Sequence, residues 1–269
     1  MDDIRRLRSV KLYACGCCEN ELSHVFKSFP PERRSFPALA ALITHEDLGN
    51  ILFDTGYSQL IYENGIVSKI YNTLNRTFIR ENETIISKLE ADGISPDSVK
   101  RIILSHAHPD HIGALKLFRS YELISTPKVL NTLYTGNCFD LVFRNMVPEN
   151  RPHMRALKKY SGKTIFDGFF RNTYDILGDG SIIGIELDGH AYGQLGIFLP
   201  EFELLLAADA CWGTDLMDHA EKMRFIPRLI QHSYRQYIDT IKRLRAFSSF
   251  HPEIKIIFSH GAMQEKKYE

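Results

Sequence analysis

The chain has 269 residues, 44% of them hydrophobic and 25% charged, and its 33 basic residues are balanced by 33 acidic ones. This length and composition predict a single α/β domain over residues 1–269, and the zero net charge argues against nucleic acid as a partner. Residues 1–6 lack the apolar stretch of a secretory signal, no window approaches the ~18 apolar residues of a membrane span, and the odd count of five cysteines favours the reducing cytoplasm.

Apolar and β-branched runs separated by turn residues predict strands and helices in both halves of the chain. The predicted strands, in chain order, are 10–14, 38–44, 50–53, 101–105, 121–125, 182–187, 195–199, 204–208 and 254–258. The predicted helices are 82–93, 114–118, one that opens at Thr126–Pro127, and 234–247. Residues 57–80 have no clean period, so we expect helix or loop there. This order is typical of two packed sheets with helices outside.

Residues 136–172 are rich in aromatic, methionine and basic side chains, and these follow no regular period. The segment predicts a helical, aromatic insertion within the single domain. Two interpretations remain open, because such a segment either packs into the core or forms a wall or lid over a site.

The most informative motif is a run of three imidazoles and one carboxylate directly after the predicted strand 101–105. In extended chain His106 and His108 point the same way, whereas the proline turn that follows directs Asp110 and His111 toward a second position. Imidazole and carboxylate together suit zinc, iron or manganese better than magnesium or calcium. The motif therefore predicts two neighbouring metal positions.

Three further candidate ligands each follow the carboxyl end of a predicted strand. They are His190, Asp209 and His260. The strand ends of a rigid sheet can hold ligands within the tolerance that a metal requires. We therefore expect these three side chains to meet the first cluster in space.

Together these motifs resemble those of the metallo-β-lactamase-fold hydrolases. The matching motifs are His106-x-His108-x-Asp110-His111, Gly189-His190, Asp209 and Ser259-His260-Gly261, together with the upstream segment 51–56. The resemblance covers most of the chain. It implies an αββα sandwich of two mixed β-sheets, with helices on the outer faces and a dinuclear metal site at one edge.

The resemblance also implies a role for each ligand. One metal would be bound by three histidines, the other by two histidines and a carboxylate, and Asp209 would bridge the two. These ligands are His106, His108 and His190 for the first metal, and Asp110, His111 and His260 for the second. Asp54 would orient a ligand imidazole rather than bind metal. The cofactors implied are two divalent ions, with zinc preferred and iron or manganese as alternatives.

Within the family, the length of the chain and its Phe53-Asp54-Thr55-Gly56 segment look most like lactonases that open N-acyl homoserine lactones. Those lactonases tend to carry a tyrosine three residues after the bridging aspartate, where this chain has Trp212. An indole donates one N–H and cannot act as a phenol. Either Tyr192 or Tyr57 replaces that tyrosine, or the substrate differs.

The resulting hypothesis is a hydrolase in which a hydroxide that bridges the metals attacks the carbonyl of a small lactone, ester or thioester, and Asp110 passes a proton to the leaving oxygen. A zinc ion bound in a protein can lower the pKa of its bound water to about 7, which is worth roughly 12 kcal/mol relative to bulk water. The alternatives are a phosphodiesterase or RNA-processing hydrolase of the same fold, and a non-catalytic ligand-binding protein. The sequence does not specify the oligomeric state.

Overall fold

A computed structural model describes residues 6–261 and 265–269 of the chain. Residues 1–5, on which most of the expectation about a secretory signal depends, lie outside the described residues. The strands described are β1 (Leu7–Glu21), β2 (Arg33–His45), β3 (Gly49–Phe53), β4 (Thr77–Phe78), β5 (Val99–Ile103), β6 (Glu122–Ser125), β7 (His153–Ala156), β8 (Thr173–Asp175), β9 (Ile183–Glu186), β10 (Leu195–Leu199), β11 (Leu204–Leu206), β12 (Lys255–Ile257) and β13 (Lys267–Tyr268).

The helices lie between the strands and after them. Those described are α1 (Leu22–Val25), α2 (Gly65–Asn75), α3 (Ile85–Ala91), α4 (Pro109–Ile112), α5 (Pro127–Thr135), α6 (Phe225–Leu229) and α7 (Tyr234–Phe250). Short 3₁₀ segments join them, among them Thr214–Lys222. Among the described residues, no helix combines the length and the apolar character needed to cross a membrane.

The strands form two mixed sheets. The larger has the order β13–β1–β2–β3–β5–β6–β7, with β4 paired to β1, and the smaller has the order β12–β11–β10–β9–β8. In the larger sheet β3, β5, β6 and β7 are mutually parallel, and in the smaller sheet β11 is parallel to β12. Because β9 and β11 are both antiparallel to β10, the carboxyl ends of β9, β11 and β12 lie at the same edge.

Buried apolar side chains form three layers that explain this architecture. The middle layer lies between the sheets and includes Phe53, Ile103, Ile124, Ile197 and Leu206. The outer layers pack helices on the far face of each sheet: α3 and α5 on the larger sheet, and α7 on the smaller. Alternate residues of a strand face opposite sides, so each sheet is covered on both faces. The predicted αββα sandwich is confirmed.

Most of the predicted elements correspond to observed ones. The helix predicted to open at Thr126–Pro127 is α5, and the Thr126 side chain accepts a hydrogen bond from the Val129 amide at its first turn. The amphipathic helix predicted over 234–247 is α7, which buries Tyr237 and Ile241 and extends three residues further.

Two predicted helices differ from the structure. The helix predicted over 114–118 is only a 3₁₀ turn, Leu115–Leu117, because the backbone is already extended at Phe118, four residues before β6 begins. The segment 136–172 contains the 3₁₀ turns Cys138–Asp140 and Arg144–Met146 and the strand β7, without an α-helix. Prolines in this segment disfavour a longer helix. That the segment is an insertion or a lid remains a prediction.

Candidate metal centre

The candidate residues all follow strands whose carboxyl ends meet at one edge of the sandwich. Asp54 follows β3, the histidine-rich motif follows β5, and His190, Asp209 and His260 follow β9, β11 and β12 respectively. A backbone hydrogen bond of 2.9 Å from the Leu195 amide to the Ser105 carbonyl joins the two sheets at this edge. The structure thus brings together candidate ligands separated by up to 154 positions in the chain, between His106 and His260.

The turn at Pro109 makes the side chains of the motif point in two directions. Pro109 is the first residue of α4, and His108 precedes it in extended conformation. The His111 amide donates to the His108 carbonyl at 3.0 Å and closes the turn. His108 is therefore left on one side of the turn, while Asp110 and His111 lie on the helical side.

Three imidazoles form the first of two groups. One ring nitrogen from each of His106, His108 and His190 lies within 4.8 Å of the others. His190 Nε2 is 2.9 Å from His108 Nδ1, and the ring centroids of His106 and His108 are 4.5 Å apart. We call these residues the histidine group.

Two carboxylates and two imidazoles form the second, which we call the mixed group: Asp110, His111, Asp209 and His260. His260 Nε2 lies 2.9 Å from Asp209 Oδ2 and 3.2 Å from Asp110 Oδ2. His111 Nε2 lies 3.2 Å from Asp209 Oδ1. Each imidazole of this group thus faces a carboxylate directly.

Asp209 lies between the two groups. Its Oδ2 atom is 3.3 Å from His190 Nε2, and its Oδ1 atom faces His111 on the other side. The side chain is 1% exposed, so neither oxygen is hydrated by bulk water. This position is the one that a bridging carboxylate requires.

The histidine group is electrically neutral. Burial lowers the pKa of His106 well below its usual value and lowers the pKa of His108 to about 3. Burial also lowers the pKa of His190. Neutral imidazoles offer the lone pair that a metal requires.

The mixed group has the opposite electrostatics. Burial opposes the charge on His260, but Asp209 and Asp110 outweigh it and raise its pKa to about 10. Burial likewise opposes the charge on His111, and Asp209 and Asp110 raise its pKa well above its usual value. The pKa of each carboxyl lies well below its usual value, because the neighbouring imidazoles outweigh burial. In the protein alone, protons on the imidazoles balance the two carboxylates.

Buried polar atoms without partners show that these groups fit a divalent metal. His106 Nε2, His111 Nε2 and Asp209 Oδ1 are buried and make no hydrogen bond, the last two even though they lie 3.2 Å apart. An unsatisfied buried polar atom costs about 1–3 kcal/mol, so such atoms call for a ligand. Nitrogen and carboxylate oxygen are the donors that zinc, iron and manganese accept.

Asp54 has a position that suits an orienting role. Its Oδ2 atom accepts a hydrogen bond from His111 Nδ1 at 2.7 Å, and its Oδ1 atom accepts one from the Ser105 amide at 2.7 Å. The residue is fully buried and has a positive φ of 60°, a conformation uncommon for a residue with a side chain. With Nδ1 engaged, His111 directs Nε2 into the mixed group.

Other partners of the imidazoles were not predicted from the sequence. Gln231 Oε1 lies 2.9 Å from His190 Nδ1, and the Pro37 carbonyl lies 2.8 Å from His260 Nδ1. Ser105 Oγ lies 3.0 Å from His106 Nδ1. Ser105 is next to the motif in the chain, whereas the other two are distant and no spacing points to them.

Gly189 lets the chain turn into His190. Its φ is +135°, and a Cβ atom there would lie 2.2 Å from the Tyr237 amide nitrogen at the start of α7. Only glycine combines that conformation with such close backbone contact. The residue before the ligand thus fixes how closely α7 approaches the site.

The three aromatic candidates occupy different positions. The Trp212 ring lies edge-on to His190 at 6.5 Å between centroids and also contacts Phe36, which lies edge-on to His260. Tyr57 is buried, and its hydroxyl lies 2.8 Å from that of Tyr71. The Tyr192 ring instead lies 5.0 Å from the His232 ring in a tilted arrangement, with Lys128 Nζ 4.8 Å from its centroid. Trp212 is therefore the one of the three that contacts a ring of the histidine group.

Comparison with known proteins places the chain in one family. Residues 34–248 match the family model described as the metallo-beta-lactamase superfamily. The N-acyl homoserine lactonase AttM of Azorhizobium caulinodans is 31% identical over 150 residues, which cover 51% of each chain. The cytochrome P450 monooxygenase mpaDE of Penicillium brevicompactum is 29% identical over 177 residues, covering 60% of this chain and 20% of that protein. The chain thus spans about half or less of these relatives.

Solved structures share the fold at low identity. An N-acyl homoserine lactone hydrolase with the product N-hexanoyl-L-homoserine at its catalytic metal centre superposes with a TM-score of 0.74, at 18% identity over 96% of this chain and 95% of that one. The dizinc quorum-quenching lactonase AidC, with the same product, gives a TM-score of 0.68 at 14% identity, over 96% of this chain and 90% of that one.

Proposed function

Because the chain belongs to the metallo-β-lactamase superfamily, we propose that it is a dinuclear metal-dependent hydrolase that opens a small lactone or a related ester or thioester. Family membership and the lactonase relatives support a metal-dependent hydrolase. The observation that carries the dinuclear proposal is the position of Asp209 between two separate groups of ligand atoms.

The proposed ligands follow from the two groups. His106, His108 and His190 would hold one divalent ion, Asp110, His111 and His260 would hold the other, and Asp209 would contribute to both. Zinc is the preferred ion, and iron or manganese suit the same donors. Bound divalent ions supply Lewis acidity for the substrate carbonyl and lower the pKa of water at the site.

The protein's own side chains have distinct tasks in this proposal. Asp110 is buried beside His111 and His260, and its pKa lies well below its usual value because these imidazoles outweigh burial. In the metal-free protein it is therefore ionised, and in the proposed reaction its carboxylate takes the proton of the attacking nucleophile and delivers it to the leaving oxygen of the substrate. Trp212 and Phe36 form an apolar wall beside His190 and His260, which favours an apolar substituent on the substrate.

Cysteine chemistry supports a cytoplasmic location. All five cysteines, Cys15, Cys17, Cys18, Cys138 and Cys211, have free thiols. Free thiols and the absence of any disulfide among them are typical of a reducing compartment.

The test is elemental analysis of the purified protein, followed by hydrolysis assays with lactones, thioesters and phosphodiesters. We expect about two divalent ions per chain and turnover of the lactones. His108→Ala should lose one ion and the turnover, whereas His153→Ala, whose side chain is 79% exposed, should retain both. Turnover confined to phosphodiesters, or full lactone turnover by metal-depleted His108→Ala protein, would contradict the proposal.

A further inference from the structure

Gln231 is a buried amide that contacts the candidate metal centre from outside the ligand set. It follows α6 and is 6% exposed. Its Oε1 atom lies 2.9 Å from His190 Nδ1, and its Nε2 atom donates to the Pro227 carbonyl at 3.2 Å. Both ends of the amide therefore have a partner.

These contacts define which nitrogen of His190 carries the proton. The Pro227 carbonyl can only accept a hydrogen bond, so the amide nitrogen of Gln231 must face it and the amide oxygen must face His190. The His190 Nδ1 atom is then the donor, and Nε2 keeps its lone pair. Nε2 is the atom that lies 2.9 Å from His108 Nδ1 and 3.3 Å from Asp209 Oδ2.

The backbone next to Gln231 fixes the position of His190 as well. The His232 amide donates to the His190 carbonyl at 2.9 Å, and the Ser233 amide donates to the Gly189 carbonyl at 2.9 Å. Segment 231–233 thus runs along both the side chain and the main chain of this one ligand. A shift of Gln231 would move the imidazole and its backbone together.

On these contacts, and on the proposed function, we propose that Gln231 is a positioning residue for the ion of the histidine group. It holds His190 in one tautomer and one orientation, and it does so with a neutral amide. The partners of a metal-bound histidine typically contribute about 10–100-fold to metal affinity. The effect should fall on one ion only, because Gln231 makes no described contact with the mixed group.

Two substitutions separate the acceptor from the rest of the side chain. Gln231→Leu keeps the approximate size and removes the oxygen that His190 uses. Gln231→Glu keeps an oxygen at that position and loses the donor to Pro227. The matched control is Asn72→Leu, since the Asn72 amide in α2 also donates to the backbone carbonyl four residues earlier, that of Ser68, at 2.8 Å, and its oxygen also accepts a hydrogen bond, from the Thr77 hydroxyl.

The measurement is the dissociation constant of each Zn²⁺ by competition with a chromophoric chelator. The ion lost in His190→Ala identifies the histidine group. We expect Gln231→Leu to weaken binding of that ion about 10–100-fold and of the other less than about threefold, while Gln231→Glu restores most of the affinity and Asn72→Leu leaves both constants unchanged. Unfolding of the metal-free protein should be affected about equally by Gln231→Leu and Asn72→Leu, because each removes one side-chain donor and one acceptor.

Several results would overturn the inference. Unchanged constants in Gln231→Leu would exclude positioning, and equal weakening of both ions together with early unfolding of the metal-free protein would indicate a purely structural role. Failure of Gln231→Glu to restore affinity would exclude the acceptor oxygen as the cause. If the wild-type protein bound no divalent ion, the proposed function itself would fail. That failure is distinct from the outcomes above, because each of them requires that the wild-type protein binds ions.

Discussion

The histidine group and the mixed group lie side by side, and Asp209 of the mixed group faces both, but their electrostatics without metal are opposite. The histidine group contains only imidazoles, and burial lowers their pKa values so that they are neutral without metal. The mixed group contains two carboxylates, which raise the pKa values of His111 and His260 and keep them protonated.

This difference shows what an ion has to displace at each position. At the histidine group the imidazoles are already neutral, so an ion displaces no net proton, although it must open the hydrogen bond between His108 Nδ1 and His190 Nε2. At the mixed group it must displace protons that already neutralise two buried carboxylates. Burying an unpaired charge is costly, so the mixed group needs a cation of some kind in every state of the protein.

The largest expected effect comes from the residue that the groups share. Asp209→Ala should abolish binding of both proposed ions and lower kcat/KM for a lactone by about 10³-fold or more, about 4 kcal/mol in transition-state free energy. Asp218→Ala, whose side chain is 85% exposed, is the control and should leave both properties unchanged. If Asp209→Ala lost only one ion, the two groups would be independent rather than bridged.

A smaller effect, limited to the mixed group, is expected from Asp54. Asp54→Ala removes the acceptor of His111 Nδ1 and should weaken the ion of the mixed group by about 10–100-fold, as measured by chelator competition. Asp54→Asn keeps an acceptor oxygen and should weaken binding of that ion less than Asp54→Ala does. Weakening of the histidine-group ion by the same factor would contradict the separation of the two groups.

The aromatic wall should affect substrate binding rather than metal binding. Trp212→Ala should raise KM for a lactone with an apolar arm about tenfold, which corresponds to about 1.4 kcal/mol, with kcat and metal content nearly unchanged. Trp212→Phe keeps a ring and should change KM less. A loss of metal in Trp212→Ala would instead make the indole part of the support for His190.

The smallest effect is a pH dependence of stability in the metal-free protein. The pKa of His260 is about 10 in the folded protein and about 6.5 when unfolded, so the folded state binds this proton more tightly. The contribution of this proton to the free energy of unfolding is complete below about pH 6.5 and is lost as the pH rises through about 10. The melting temperature of the metal-free protein should therefore fall over this range, and that of the His260→Gln variant should fall less steeply. Equal slopes would contradict the account.

Much of the candidate site could be predicted from the sequence because its candidate ligands follow the carboxyl ends of strands. His190, Asp209 and His260 each close an apolar run, and parallel strands bring such ends to one edge. The same holds for Asp54 after β3. Strand identity depends on local apolar pattern, so these positions follow from residues within a few places of each ligand.

The partners of the imidazoles depend on contacts that leave no local pattern. Gln231 lies 41 residues from His190, in the turn between two helices, and Pro37 contributes a backbone carbonyl that any residue has. Helix α2 falls within residues 57–80, which the sequence predicted only as helix or loop, and much of its apolar face is exposed: Ile66, for example, is 74% exposed. Such features are fixed by tertiary packing.

The most direct test of the contrast between the two groups is a calorimetric titration of the metal-free protein with Zn²⁺ at about pH 6, in buffers of different ionisation enthalpy. This pH lies below the pKa of about 7 that zinc gives to bound water, so released protons report on the side chains. We expect binding at the mixed group to release about two protons, from His111 and His260, and binding at the histidine group to release almost none. Equal proton release in the two steps would contradict the account.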